Sequence, residues 1–403
     1  MAETIKNTML SDRILNMTES ATLKMTQLAR DLRAQGNDVI SLSIGEPDFD
    51  TPQHIKDAAI KALNDGWTKY TPVPGLPVLR EAISQKFERE NGLEYAPSQI
   101  VVSNGAKQSI SNIAQAMLNP GDEVIIFTPY WVSYSDIVKL AGGVVIPVQA
   151  GIEQDFKVTP DQVQNAITDK TKLVLFSSPC NPTGSVYTKE ELNGIAAVLA
   201  PHEHIYIISD EIYEHINFTD AHCSIGAFPS VKDRTITVNG FSKGFAMTGW
   251  RLGYMGAPPA IAKACAKHQG QVTSGATAFG QVAGAYALKS DLGPTEAMKA
   301  AFEKRKHVVI ELLQQIPGFK VNNPKGAFYI FPDISNYFGK SDGTTTINNA
   351  DDFSMYILNT AFVSIVSGSA FGDDNCFRLS YAASEEQLRE AIGRIHEAVS
   401  RLH

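Results

Sequence analysis

Cysteine is scarce in this 403-residue chain: Cys180, Cys223, Cys265 and Cys376 are widely scattered and form no CxxC pair. That excludes a zinc ribbon and leaves no basis for a disulfide framework. Positive charge is also in deficit, with 35 Lys and Arg against 43 Asp and Glu. A net charge of −8 argues against nucleic acid or an anionic membrane as the main partner. No run of about 18 apolar residues occurs, so no membrane-spanning helix is expected. The opening stretch MAETIKNTMLSDRILNMTES mixes charge with isolated apolar residues, so a signal peptide is not expected either. Neither a P-loop nor G-x-G-x-x-G is present, nor an internal repeat. A cytoplasmic, reducing setting is the resulting expectation.

What is present is an alternation of short apolar runs with helical patterns. The length suggests two domains. QIVVS (99–103), EVIIFTP (123–129), GVVIPV (143–148), KLVLFSSP (172–179), IYIISD (205–210) and TITV (235–238) read as strands, and 108–118 and 189–199 read as helices between them. Continuous β-branched strands spaced by helices predict an α/β fold, with a mainly parallel (mixed) sheet buried on both faces. After about residue 300 the alternation loosens: helix 297–316, strand 326–334, helix 351–359, strands 363–368 and 376–382, and helix 384–400. A smaller α/β domain is expected there, residues 300–403 joined by 15–46. Residues 47–299 then form the large domain and 1–14 an arm packing elsewhere. Ala21–Gln35 has helical spacing, with Ser20 and Thr22 as candidate caps.

In a parallel sheet, ligands bind at the carboxyl ends of strands. Gly105-Ala106, Trp131, Asn181, Asp210 and Lys243 all fall at such ends. An isolated Ser-Lys-Gly is ordinarily a surface loop; Lys243, however, follows a buried strand between small residues. There, burial and cationic neighbours would lower its pKa and let the neutral amine attack a carbonyl. A phosphate-bearing aldehyde cofactor needs an amine, a carboxylate for its ring nitrogen, donors to its ring oxygen and a phosphate cradle. Lys243, then Asp210, then Tyr213 with Asn181, supply the first three. The helix opening at Gly105-Ala106-Lys107, with Arg251, suits the phosphate, and Trp131 offers a stacking face. Singly, Asp210 reads as a helix cap, Asn181-Pro182 as a turn and Trp131 as core; jointly they point to one site. Asp210, Glu211, Glu214 and His215 also allow a metal-dependent hydrolase. No HExxH supports that, Glu211 and Glu214 should point away from the strand end, and no metal is expected. A DNA-binding regulator on this fold would need an appended domain for which the arm is too short.

The stretches S178-PCNPTG-184, S209-DEIYEH-215, S242-KGFAMTGWRLGY-254 and F377-RLSYA-382 resemble signatures of the class I aminotransferases, the fold-type I pyridoxal phosphate enzymes. The likeness extends through S43-IGEPDFDTP-52, Y70-TPVPGLPVLREAI-83, S103-NGAKQ-108 and T128-PYWVSY-134, nearly the whole chain, and is strongest toward bacterial aspartate aminotransferases. It implies pyridoxal 5'-phosphate as cofactor, small amino and 2-oxo acid substrates, ping-pong kinetics and a homodimer with shared active sites. Lys243 would hold the cofactor and shuttle the proton. Gly105, Ala106, Ser242 and Arg251 would hold the phosphate, with Tyr70 from the other subunit. Arg378 would clamp the substrate α-carboxylate, with Asn181 and the Gly45 backbone. Lys107, with Ser20 and Thr22, would favour a second, distal carboxylate, hence aspartate and 2-oxoglutarate; prephenate or aromatic amino acids are the alternative. A β-lyase or decarboxylating synthase would share Lys243 and Arg378. Ala106 and Ser369-Ala370 depart from the family pattern and leave fine specificity open.

Overall fold

In the computed structural model, which describes residues 9–403, the alternating stretch forms one seven-stranded sheet. The strands are β1 Ile100–Ser103, β2 Glu123–Thr128, β3 Val144–Gln149, β4 Thr171–Ser177, β5 Tyr206–Asp210, β6 Thr235–Gly240 and β7 Gly253–Gly256. Their order across the sheet is β1-β7-β6-β5-β4-β2-β3. All pair parallel except β7, which runs antiparallel to both β6 and β1. Adjacent residues serve opposite faces. Val124 and Ile126 join one core with Leu173, Ile236 and Met255, while Ile125 and Phe127 join another with Val174 and Ile207. That two-sided burial is why these runs read as continuously apolar. The exception is β3, whose Val144 is exposed and which contains Pro147; both are tolerated at a sheet edge.

Helices cover both faces. Ala106–Met117 packs through Ile110 and Ile113 with Cys265 of helix Pro259–Val272. Lys189–Leu199 covers the other side and is opened by a capping box, in which Thr188 Oγ1 accepts from the Glu191 amide and Glu191 accepts from the Thr188 amide. Helix Ala106–Met117 begins two residues earlier than the sequence suggested, which brings its first turn to the rim of the sheet. Helix Pro77–Lys86 is continued by a π-helical turn, Phe87–Asn91, closed by left-handed Gly92.

Beyond residue 293 the chain builds a second, smaller α/β layer. Val366–Ser367, Phe377–Ser380 and Tyr329–Ile330 form a small antiparallel sheet. Ile40–Ser41 pairs in parallel with Val363–Ser364. Helices Gly293–Gln314, Ala350–Ala361 and Glu385–Val399 close a core including Phe302, Phe328, Phe353, Leu388 and Ile395. The strands here are shorter than the apolar runs at 326–334 and 363–368 suggested. The run at 363–368 splits between two sheets around Ile365, so neither half extends its ladder. Most of the arm, residues 1–8, lies outside the described residues; Asp12–Leu15 is a single helical turn with nothing buried. Among the described residues no helix is long and apolar enough to cross a membrane, and all four cysteines are free.

Candidate active site

The parallel strands deliver their carboxyl ends to one rim, and β7, running the other way, starts there. A cavity of about 500 Å³ opens at that rim and is closed on its far side by helix Ala21–Ala34 and by Tyr329 and Arg378 of the smaller layer. Ser20, Thr22, Ala106, Lys107, Trp131, Asn181, Asp210, Tyr213, Ser242, Lys243, Arg251 and Arg378 all line it, with Gly45 at its edge. Residues expected at the site from positions 20 to 378 thus converge on one volume.

Lys243 follows β6, whose six residues are all buried. Its Nζ donates to Gly45 O at 2.5 Å and lies 5.9 Å from the ring centroids of Tyr213 and Phe328. Burial lowers its pKa to about 8; nearby Glu46 opposes that fall, and Arg378 and Arg251 add to it. A fair fraction of the amine is therefore neutral near physiological pH, as a nucleophile requires. Asp210, at the end of β5, pairs across to Ser177 and Val238. Burial pushes its carboxyl up to about 6, while Tyr134 Oη, donating at 2.6 Å, and the Ile212 amide hold it down.

Arg251, two residues before β7, has φ of 53° and donates to Thr248 O at 2.9 Å. Gly105, at φ 85°, caps helix Ala106–Met117; a Cβ there would stand 2.6 Å from Arg251 Nη2. Only glycine lets the guanidinium lie against the helix start, where free amides and the dipole favour an anion. Lys107 Nζ lies 4.9 Å above the Trp131 ring, and partial burial, then Arg251, lower its pKa. Arg378 is buried between the rings of Tyr329 and Phe371, at 4.6 and 5.0 Å. It donates to Asn181 Oδ1 at 3.0 Å and Ser43 O at 2.5 Å, and its Nε has no partner. A buried guanidinium with donors to spare is built to take a carboxylate.

Tyr70 stands apart: it is 99% exposed and lies in a separate surface hollow with Trp67 and Lys69. Four groups escaped sequence reasoning. Tyr134 bonds Asp210, and Tyr329 shares a 2.7 Å hydrogen bond with Tyr213. Glu46, bonded to Thr248, faces Lys243, and Arg30 reaches the cavity from helix Ala21–Ala34. Helical spacing from Trp131 could have found Tyr134; the others are long-range. The hydrolase reading loses its ligand set here. Glu211, Glu214 and His222 gather away from Asp210, around the Lys86 ammonium, and Glu90 and His215 flank them.

A buried amine of lowered pKa, a buried carboxylate lining the same cavity, and a helix start with Arg251 laid against Gly105 fit pyridoxal phosphate. The aminotransferase class I and II profile matches residues 37–395, and the chain belongs to that family of pyridoxal phosphate-dependent transferases, with the fold-type I architecture. Its relatives narrow the class. It is 47% identical over 392 residues to the aspartate/prephenate aminotransferase of Cereibacter sphaeroides, covering 96% of this chain and 97% of that one. It is 47% identical over 390 residues to the aspartate aminotransferase of Geobacillus stearothermophilus, covering 96% and 98%. The crystal structure of the aspartate aminotransferase from Rhizobium meliloti superposes with a TM-score of 0.95 at 41% identity, covering 98% and 99%.

Proposed function

We propose that this chain transfers the amino group reversibly from L-aspartate to 2-oxoglutarate, giving oxaloacetate and L-glutamate by a ping-pong mechanism. The observation that carries the substrate is a cavity with two separate cationic anchors beyond the phosphate cradle. Arg378 suits an α-carboxylate and Lys107 a distal one. Full-length relatives named for aspartate support it, and the name aspartate/prephenate aminotransferase supports prephenate as a second amino acceptor.

When bound, pyridoxal phosphate supplies an aldehyde and an electron-withdrawing ring. Lys243 would hold the aldehyde, and its amine moves the proton at the substrate Cα. Asp210 would keep a proton on the ring nitrogen, Tyr213 and Asn181 would donate to the ring oxygen, and Trp131 would offer its face to the ring. Gly105, Ala106, Ser242 and Arg251 would hold the phosphate. Arg378, Asn181 and the Gly45 backbone orient the α-carboxylate, while Lys107, Ser20 and Thr22 face the side chain. The half-reaction tests the assignment. Aspartate alone should bleach the visible band of the holoenzyme and 2-oxoglutarate should restore it; a band indifferent to aspartate overturns the substrate.

The same reading takes the enzyme as a cytoplasmic homodimer with shared sites, supported by Tyr70, whose full exposure outside its own cavity leaves it available to a neighbour's phosphate. A Lys243→Ala subunit and a Tyr70→Ala subunit should complement each other, because every hybrid dimer regains one intact site. Mixtures no more active than their separate components overturn the sharing.

A further inference from the structure

Helix Ala21–Ala34 presents two faces to the molecule. Met25 and Ala29, one turn apart, are buried with Val39 and Leu358, which fixes the helix on the smaller layer. Thr22, Thr26 and Arg30, spaced four by four, form a second stripe that lines the cavity. Thr26 spends its hydroxyl on Thr22 O at 2.8 Å. Arg30 is exposed and forms no hydrogen bond or ion pair among the described residues. Arg33, three positions on, donates to Val39 O at 2.9 and 2.7 Å, so the helix readily anchors an arginine where a structural role exists.

The charge balance of the cavity makes the idle guanidinium informative. Five cations line it (Arg30, Lys107, Lys243, Arg251 and Arg378) against two carboxylates, Glu46 and Asp210. Within the function proposed above, Arg251 serves the phosphate, Arg378 the α-carboxylate and Lys243 the amine. Lys107 rests over the Trp131 ring. Arg30 is left lining the cavity with no carboxylate at ion-pair distance among the described residues.

We propose that Arg30 is a specificity-determining residue that joins Lys107 in selecting substrates with a second carboxylate. It brings a planar, bidentate donor pair from the helix side of the cavity, where Lys107 offers a point charge from the sheet side. The inference rests on the aminotransferase reading and adds a residue to its substrate subsite.

Arg30→Leu and Arg30→Lys holoenzymes test it, with succinate binding measured by titration calorimetry beside steady-state kinetics. Arg30→Leu should weaken succinate about tenfold and raise KM for aspartate and glutamate about as much, with kcat nearly unchanged. KM for phenylalanine should move less than twofold, and Arg30→Lys should recover most of the loss. Because Arg30 is exposed, the effect should shrink as salt rises. Equal losses for mono- and dicarboxylic substrates would make Arg30 a structural residue of the helix and overturn the proposal, as would no change at all. A wild-type enzyme that binds succinate no better than a monocarboxylate would overturn it together with the aspartate assignment, whereas normal wild-type preference with an unaffected variant removes Arg30 alone.

Discussion

Asp210 and Glu211 are neighbours in sequence, yet they belong to two ionic assemblies of opposite character. Glu211 takes hydrogen bonds from Ser209 Oγ at 2.9 Å, Ser224 Oγ at 2.6 Å and His222 Nε2 at 2.8 Å. Glu214 takes Lys86 Nζ and the Asn91 amide. Lys86, Asn91, Glu211 and Glu214 are all buried, and both carboxylates have each oxygen partnered. On the cavity side, among the described residues, Arg378 Nε and Arg30 have no partner and cations outnumber carboxylates. Density of charged residues does not separate the two; the pairing of the carboxylates and the ammonium does, although His222 Nδ1 is buried there without a partner among the described residues. The sealed assembly holds structure, and the open one has charge left for a ligand.

Breaking the sealed side should have the largest effect. Lys86→Met removes the central cation and strands Glu214, which should cost about 3–5 kcal/mol of stability in denaturant melts. A change below about 1 kcal/mol would mean the network is not sealed as described. The same network predicts an acid limit. Burial alone would raise the Glu214 carboxyl, but Lys86, His215 and His222 outweigh it and hold the pKa down to about 2. A carboxyl depressed on folding adds stability above its ordinary value near 4.5. That contribution is lost as pH falls from there toward 2, and Lys86→Met should flatten this part of the pH–stability curve.

A gentler change sharpens the open side. Tyr134→Phe removes the hydrogen bond that holds Asp210 down, so the carboxyl should rise further above about 6 by about one unit. Pyridoxal phosphate affinity should then fall on the acid side at higher pH than in the wild type, with little loss of fold. An unmoved acid limb would show that Tyr134 does not tune Asp210.

The sheet and most of the cavity were legible in the chain because their signals are local. A β-branched run followed by Asn-Gly, Cys-Asn-Pro or Ser-Lys-Gly marks a strand end, and strand ends are where this fold places ligand groups. Tyr329 carries no comparable mark. Its hydrogen bond to Tyr213 spans 116 positions, and GAFYIFPDI offers nothing to distinguish it from the apolar residues beside it. Arg30 looks like any solvated arginine until the helix is placed against the cavity. The Glu-x-x-Glu-His stretch suggested metal ligands because its true partner, Lys86, enters from 128 positions away. The two-residue strands of the smaller layer were overestimated for a related reason: their lengths depend on which distant segment pairs with them.

The lone antiparallel strand carries a lesson about tolerance. Its reversal lets the excursion 243–251 bring both Lys243 and Arg251 to the cavity, while Gly240 and Gly253 are paired where it leaves and re-enters the sheet. Because both flanks are buried, an inserted or deleted residue has nowhere to slip, and one of the two groups must leave its place. The exposed side chains of helix Ala21–Ala34 line the same cavity from outside that excursion, so changing them leaves this geometry in place.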